Sequence, residues 1–154
     1  MSRVKELARH IDRTVRGPMW HGPALMEVLD GVTPERAAMH PMAGAHSIWE
    51  IVLHAAAWAD IARARLNGER VGDPTPDEDW PPVAATGAED WERALTQLRA
   101  SHRQLAEAVA LLDESRLDEK IAGLAYSILV LLHGVVEHGT YHGGQIALLR
   151  KTLG

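Results

Sequence analysis

Two histidines lie four residues apart near the end of the sequence, within the segment EHGTYHGGQ at positions 137–145. In a helix, His138 and His142 would lie about 40° apart around the axis and one turn apart along it. This spacing allows two imidazoles to bind one metal ion from a single helix. The three glycines of the segment each weaken a helix by about 0.8–1 kcal/mol relative to alanine. Close packing or a binding site must therefore favour them, and we expect them to let a neighbouring helix approach closely.

A third metal ligand would have to come from another helix. His54 lies in the middle of a predicted long helix and is followed by small residues in HAAAW, where a buried imidazole would need a polar partner or an ion. We therefore predict that His54, His138 and His142 bind one metal ion. Three neutral nitrogens with open coordination positions are typical of a catalytic divalent site rather than a closed structural one.

Glu50 lies one helical turn before His54 and has two interpretations. It could orient the His54 imidazole and so serve as a candidate catalytic group. It could instead be the acid of a capping box formed by the segment SIWE at positions 47–50. Both roles are compatible, and the sequence leaves them open.

Four aromatic or imidazole side chains are predicted to line the pocket around this site. Trp20 and His21 lie in a helix break, GPMWHGP, from which they could fold over the mouth of the site. Trp58 and Tyr141 complete the predicted lining, although tryptophans at helical spacing are more often core residues.

The remaining histidines have simpler interpretations. Polar side chains are usually exposed, so His10, His40 and His102 are predicted at the surface. His133 is predicted to be a hydrogen-bonded core residue. A histidine pair at four-residue spacing can also be part of a solvated or packed helix face that binds no metal.

Hydrophobic residues recur at helical spacing along most of the chain, and no strand pattern of any length is present. Short helices are predicted over 24–30 and 33–36, and a proline-rich surface loop over 72–87. Long helices are predicted over 2–16, 47–67, 88–112 and 127–153. The expected fold is therefore all-α: a four-helix bundle with a long crossover connection, forming a single domain over residues 1–154.

Composition excludes several classes of function. The chain has 154 residues, a net charge of −5 and no cysteine, which argues against a nucleic-acid surface, disulfides and a thiol nucleophile. The longest apolar run, ILVLL at 128–132, is too short to cross a bilayer, and the segment MSRVKELARH lacks the apolar core of a signal peptide. We expect a cytoplasmic protein without a membrane or nucleic-acid partner.

Four segments carry a resemblance that covers most of the chain: GPMWHGPAL (17–25), HSIWEIVLHAAAW (46–58), DEDWPP (77–82) and HGVVEHGTYHGGQIALLRK (133–151). In this order they resemble the DinB/YfiT-like metalloenzymes. The resemblance implies a four-helix bundle with a crossover and a divalent metal bound by His54, His138 and His142. It also implies a homodimer and, by analogy with mycothiol-dependent maleylpyruvate isomerase and bacillithiol transferases, a low-molecular-weight thiol as a reaction partner.

The leading hypothesis is thus a metal-dependent enzyme that activates water or a low-molecular-weight thiol to attack a small-molecule substrate. Zinc or nickel is expected first, with iron or manganese as further options. The alternative is a non-catalytic helical module whose metal is structural, or which binds a small ligand.

Overall fold

The computed structural model describes residues 2–154, and its regular elements are helices. In chain order they are α1 (Arg3–Arg16), α2 (Leu25–Leu29), α3 (Pro34–Ala38), α4 (Ile48–Leu66), α5 (Pro76–Asp79), α6 (Ala88–Ala110) and α7 (Ile128–Leu153), with a 3-10 helix (Glu114–Asp118) before α7. Within residues 2–154 the β structure is limited to two isolated bridges. The all-α prediction is confirmed, and the four long helices lie within one residue of their predicted bounds, except that α6 ends two residues earlier than predicted.

The start of α4 follows from its sequence. The Ser47 hydroxyl accepts a hydrogen bond from the Glu50 backbone N–H at 3.2 Å. The Glu50 carboxylate accepts in return from the Ser47 backbone N–H at 2.7 Å. This reciprocal pair satisfies two amide groups that have no partner within the helix, which fixes where α4 begins. The predicted capping box is confirmed.

The four long helices enclose two hydrophobic clusters. Helix α1 packs against α6 and α7, and α4 packs against the same two helices. One cluster joins the first half of α4 to the end of α7, and the other joins the second half of α4 to the start of α7. Helices α4 and α7 therefore run antiparallel. His138 and His142 lie on α7 between its contributions to the two clusters, so the core itself places them in the interior.

Helices α1 and α7 approach each other closely at Gly139. A Cβ atom at this position would overlap the methyl group of Thr14, which is buried on α1. A Cβ at Gly143 would make an ordinary contact of 3.7 Å with Leu25, and one at Gly144 would meet no atom within 4 Å. The close approach expected of these glycines is thus found at Gly139 and does not extend to Gly144.

Two histidine predictions were wrong. His102 was expected at the surface but is 3% exposed, because it lies on the apolar stripe of α6 between Leu98 and Leu105. Its Nδ1 donates to the Leu98 carbonyl at 3.0 Å, and burial lowers its pKa to about 4. His133 was expected in the core but is exposed, because it lies on the outer face of α7. His10 and His40 are exposed as predicted.

No helix within residues 2–154 is both long enough and apolar enough to cross a membrane.

Candidate metal centre

Three imidazoles converge between α4 and α7. His54 projects from the middle of α4, and His138 and His142 project from consecutive turns of α7. The Nε2 atom of His138 lies 2.9 Å from Nε2 of His54 and 3.0 Å from Nε2 of His142. One potential ligand atom from each histidine lies within 4.8 Å of the others. The structure thus brings together the three histidines that their spacing singled out.

The ring of His54 is oriented by Asp79, the last residue of α5. The Asp79 backbone carbonyl lies 2.5 Å from Nδ1 of His54, and its carboxylate Oδ1 lies 3.3 Å from the same atom. A carbonyl oxygen can only accept, so Nδ1 of His54 carries the proton and Nε2 carries a lone pair. The Trp58 indole donates to Asp79 Oδ1 at 2.7 Å, which holds the carboxylate beside the ring.

The ring of His142 is oriented in the same way from its own helix. Its Nδ1 donates to the Gln145 side-chain oxygen at 2.6 Å, so its Nε2 also carries a lone pair. The Gln145 amide donates in turn to the Tyr141 hydroxyl at 3.2 Å. Hydrogen bonds of this kind to the distal ring nitrogen are the usual way in which proteins fix metal-binding histidines.

These contacts leave more lone pairs at the centre than protons. Both His54 and His142 present unprotonated Nε2 atoms to His138, and a neutral His138 can donate from Nε2 to only one of them. A bound divalent cation would accept both of these lone pairs, and a third from His138 Nε2 when the proton of that ring is on Nδ1. Two nitrogens at 2.0–2.1 Å from a tetrahedral zinc lie about 3.3 Å apart, close to the 2.9 Å and 3.0 Å that separate Nε2 of His138 from Nε2 of His54 and of His142. The donor set therefore fits one divalent ion.

Burial keeps all three imidazoles neutral. Desolvation, together with the neighbouring His142 and His54, lowers the pKa of His138 to about 3. Desolvation also lowers the pKa values of His54 and His142, although the hydrogen bonds that their Nδ1 atoms donate to Asp79 and Gln145 oppose part of the decrease. Metal binding to histidine requires the neutral ring, so these groups need to release no proton at neutral pH.

Trp80 covers one face of the centre. Its indole stacks on His54 with ring centroids 3.7 Å apart and on His46 with centroids 3.5 Å apart. The dipeptide of Asp79 and Trp80 therefore contacts both the edge and the face of His54. This dipeptide ends the single turn of α5, whose N-terminus is capped by Thr75, and α5 packs the proline-rich connection against α4.

Glu50 does not make the contact with His54 that one of its two interpretations required. Its carboxylate accepts from the Ser47 amide and lies 2.9 Å from His40 Nε2 and 3.5 Å from His46 Nδ1. Burial raises its pKa, but these hydrogen bonds and imidazoles more than compensate, so the pKa stays below its usual value. The capping role is observed, and a catalytic role for Glu50 stays a prediction.

The predicted lining residues lie in three different places. Trp58 lines a cavity of about 380 Å³ beside His54 and His138. Tyr141 is 65% exposed and lies against the outer side of His142, with ring centroids 5.1 Å apart. Trp20 is fully exposed, His21 is also exposed, and neither lines this cavity. The bridge between residues 19 and 22 places both at the tip of a turn, which explains their exposure.

Sequence reasoning assigned no role to the residues that orient the histidines. Gln145 could have been found, because a polar residue three positions after His142 lies on the same face of a helix. For Asp79 and Trp80, the sequence contains a helix-capping pattern that begins at Thr75 and predicts a turn of helix just before them. That signal does not indicate which element the turn packs against, so their contacts with His54 depended on the tertiary structure.

The family model of the DinB superfamily matches residues 20–146 of the chain, a range that includes all three histidines. No match was found among curated proteins or among solved structures.

Proposed function

Because the chain belongs to the DinB superfamily and brings three histidines together, we propose that it is a metal-dependent enzyme. In this proposal His54, His138 and His142 bind one divalent ion, with zinc or nickel preferred over iron or manganese for a nitrogen-only donor set. The reaction class is attack of water, or of a low-molecular-weight thiol, on a small electrophilic substrate. The four long helices are interpreted as a four-helix bundle with a crossover, and the assembly as a homodimer.

One observation carries the proposal: the Nε2 lone pairs of His54 and His142 both face Nε2 of His138. In a purely structural role, each buried histidine would be expected to find its own protein partner. Here the Nδ1 atoms of two rings have partners, and within residues 2–154 the Nε2 atoms contact only one another. A divalent ion held by three neutral imidazoles supplies Lewis acidity, which lowers the pKa of a bound water or thiol.

The chain's own residues supply orientation and exclusion of solvent. Asp79 and Gln145 fix the rings of His54 and His142, so the ligand geometry exists before any ion binds. Trp80 covers one face of His54, and the cavity opens beside His54 and His138. The Asp79 carboxylate also lines this cavity and is about one third exposed, which makes it the nearest candidate to accept a proton from an incoming nucleophile.

A second candidate function is a non-catalytic metal-binding module. It is favoured by the cavity lining, in which Asp79 is the single carboxylate among the described residues and most of the wall surface is apolar. The two candidates differ in what metal removal does to activity. An ion that binds the native state alone raises the melting temperature in either case, and only the catalytic candidate predicts that its removal also abolishes a reaction.

The test of the catalytic proposal compares metal-loaded wild type with His138→Ala. Each is assayed for hydrolysis of p-nitrophenyl acetate and for conjugation of 1-chloro-2,4-dinitrobenzene with cysteine. We expect the wild type to accelerate one of the two reactions at least tenfold over the variant. Equal rates in both assays, with the metal bound to wild type, would contradict the catalytic proposal and favour the binding module.

A further inference from the structure

The cavity beside the histidines has a second polar end. One part of its wall is His54, His138, Trp58 and Asp79, and another part is Tyr126 with the first turns of α7. Because α4 and α7 are antiparallel, Arg65 near the end of α4 contacts Tyr126, which lies just before α7. Along α4, Arg65 lies roughly 16 Å from His54, the residue that contacts His138. The cavity therefore extends from the candidate metal centre towards the pair formed by Arg65 and Tyr126.

Arg65 is a buried charge that the proposed metal chemistry does not use. Its side chain is 1% exposed, and its Nε atom is buried without a hydrogen-bond partner among the described residues. The guanidinium donates to the Tyr126 hydroxyl and to the Gly72 carbonyl, each at 2.8 Å, and lies 5.5 Å from the centre of a Trp58 ring. Its nearest carboxylate, on Asp73, is 3.4 Å away but 87% exposed.

This arrangement directs positive charge towards the cavity. A buried cation is costly unless it is well paired, and solvent weakens the pairing with Asp73. Trp58 and Tyr126, which both contact the guanidinium, both line the cavity. The Tyr126 hydroxyl already accepts from Arg65, so its own proton is free to donate, and it has no acceptor within residues 2–154.

Gly134 shows that space is kept open in this cavity, between the histidines and Tyr126. It lies inside α7, where glycine is unfavourable relative to alanine. Unlike Gly139, it is not explained by packing, because a Cβ at Gly134 would meet no atom within 4 Å. Gly134 lines the same cavity as Tyr126, so a side chain there would project towards the space that a ligand would occupy.

We propose that Tyr126, supported by Arg65, binds a carboxylate oxygen of the substrate at the end of the cavity remote from the three histidines. The substrate class is a small organic acid with an apolar body, which the valine and leucine side chains of α7 would contact. This inference rests on the proposed function for the reaction at the other end of the substrate, near the three histidines. It makes Tyr126 a specificity-determining residue. Arg65 is a positioning residue that acts through Tyr126.

The test measures binding of hexanoate, hexanamide and hexanol by saturation-transfer NMR, with metal-loaded and with chelator-treated protein. Wild type should prefer hexanoate over the two uncharged probes by about tenfold, as expected for a hydrogen bond to a charged group. Tyr126→Phe keeps the ring and should lose this preference in both metal states. Wild type without a preference for hexanoate, or Tyr126→Phe with the wild-type preference, would overturn the inference.

A matched pair of glycine variants tests the location independently. Gly134→Leu should fill the cavity and abolish binding of all three probes, whereas Gly144→Leu, on the same helix and equally free of neighbours, should bind as wild type does. Equal binding by both variants would overturn the assignment of the cavity. Metal uptake measured on the same protein separates the two proposals, since a wild type that prefers hexanoate but binds no added zinc or nickel would contradict only the proposed function.

Discussion

At the scale of single residues, the partner of each imidazole matters as much as the imidazole. His54 and His142 present Nε2 to the centre because Asp79 and Gln145 accept from Nδ1. The pattern of histidines is visible in the sequence, but the tautomer of each ring is set by these neighbours.

Replacing Gln145 with leucine should weaken metal binding without unfolding the protein. The variant removes the acceptor that holds Nδ1 of His142, and changes to such orienting groups typically reduce metal affinity 10–100-fold. Competition of the protein with a chromophoric chelator for zinc measures the affinity. Gln104→Leu, at an exposed position on α6, is the matched control and should keep wild-type affinity. Equal affinities for the two variants would contradict an orienting role for Gln145.

His102 should make the metal-free protein less stable in acid. Its folded-state pKa of about 4 lies below the unfolded value near 6.5, so the unfolded chain binds more protons between these values. The free energy of unfolding should therefore fall as the pH decreases from 6.5 towards 4. Between pH 7 and pH 5, His102→Leu should lose about 2 kcal/mol less than wild type in urea denaturation.

The control for this prediction is His10→Leu, which removes an exposed histidine from α1. Its loss of stability between pH 7 and pH 5 should match that of wild type. A His102→Leu variant with the wild-type pH dependence would show that His102 is not the group that binds the proton on unfolding.

At the scale of elements, α7 has two faces with different roles, one in the candidate metal centre and one in packing against α1. One face carries the histidine pair, and another carries Gly139 against Thr14 of α1. A glycine weakens the isolated helix, but here it permits a backbone approach that positions α7 in the interior. Close packing thus explains the presence of Gly139 in EHGTYHGGQ, despite its cost in helix stability, but it does not explain Gly144.

Gly139→Ala should destabilise the protein although alanine favours a helix. The added methyl group would overlap the Thr14 methyl group, and overpacking of this kind typically costs about 1–3 kcal/mol. Gly144→Ala meets no neighbour and should stabilise the protein by up to about 1 kcal/mol through helix propensity. Urea denaturation of both variants gives the comparison. Stabilisation by both substitutions would contradict the close approach of α1 and α7.

At the scale of the whole molecule, local signals predicted the helices well. The Ser47 capping box and the apolar spacing of the long segments are properties of consecutive residues, and they located α4 and α7 closely. The histidine set was found because two ligands share one helix face. What could not be predicted depends on contacts between elements distant in sequence, such as the docking of Asp79 and Trp80 on His54. The exposure of Trp20 and the burial of His102 depend in the same way on which faces the assembled helices leave open.

The most direct measurement of the central claim is the metal content of tag-free protein by elemental analysis, for wild type, His54→Ala and His133→Ala. His133 is an exposed histidine of α7 and serves as the matched control. We predict about one divalent ion per chain in wild type and in His133→Ala, and a loss of that ion in His54→Ala, because two imidazoles alone hold the ion much more weakly. Wild-type protein that contains no ion and binds neither zinc nor nickel when they are added would contradict the metal site, as would full occupancy in His54→Ala.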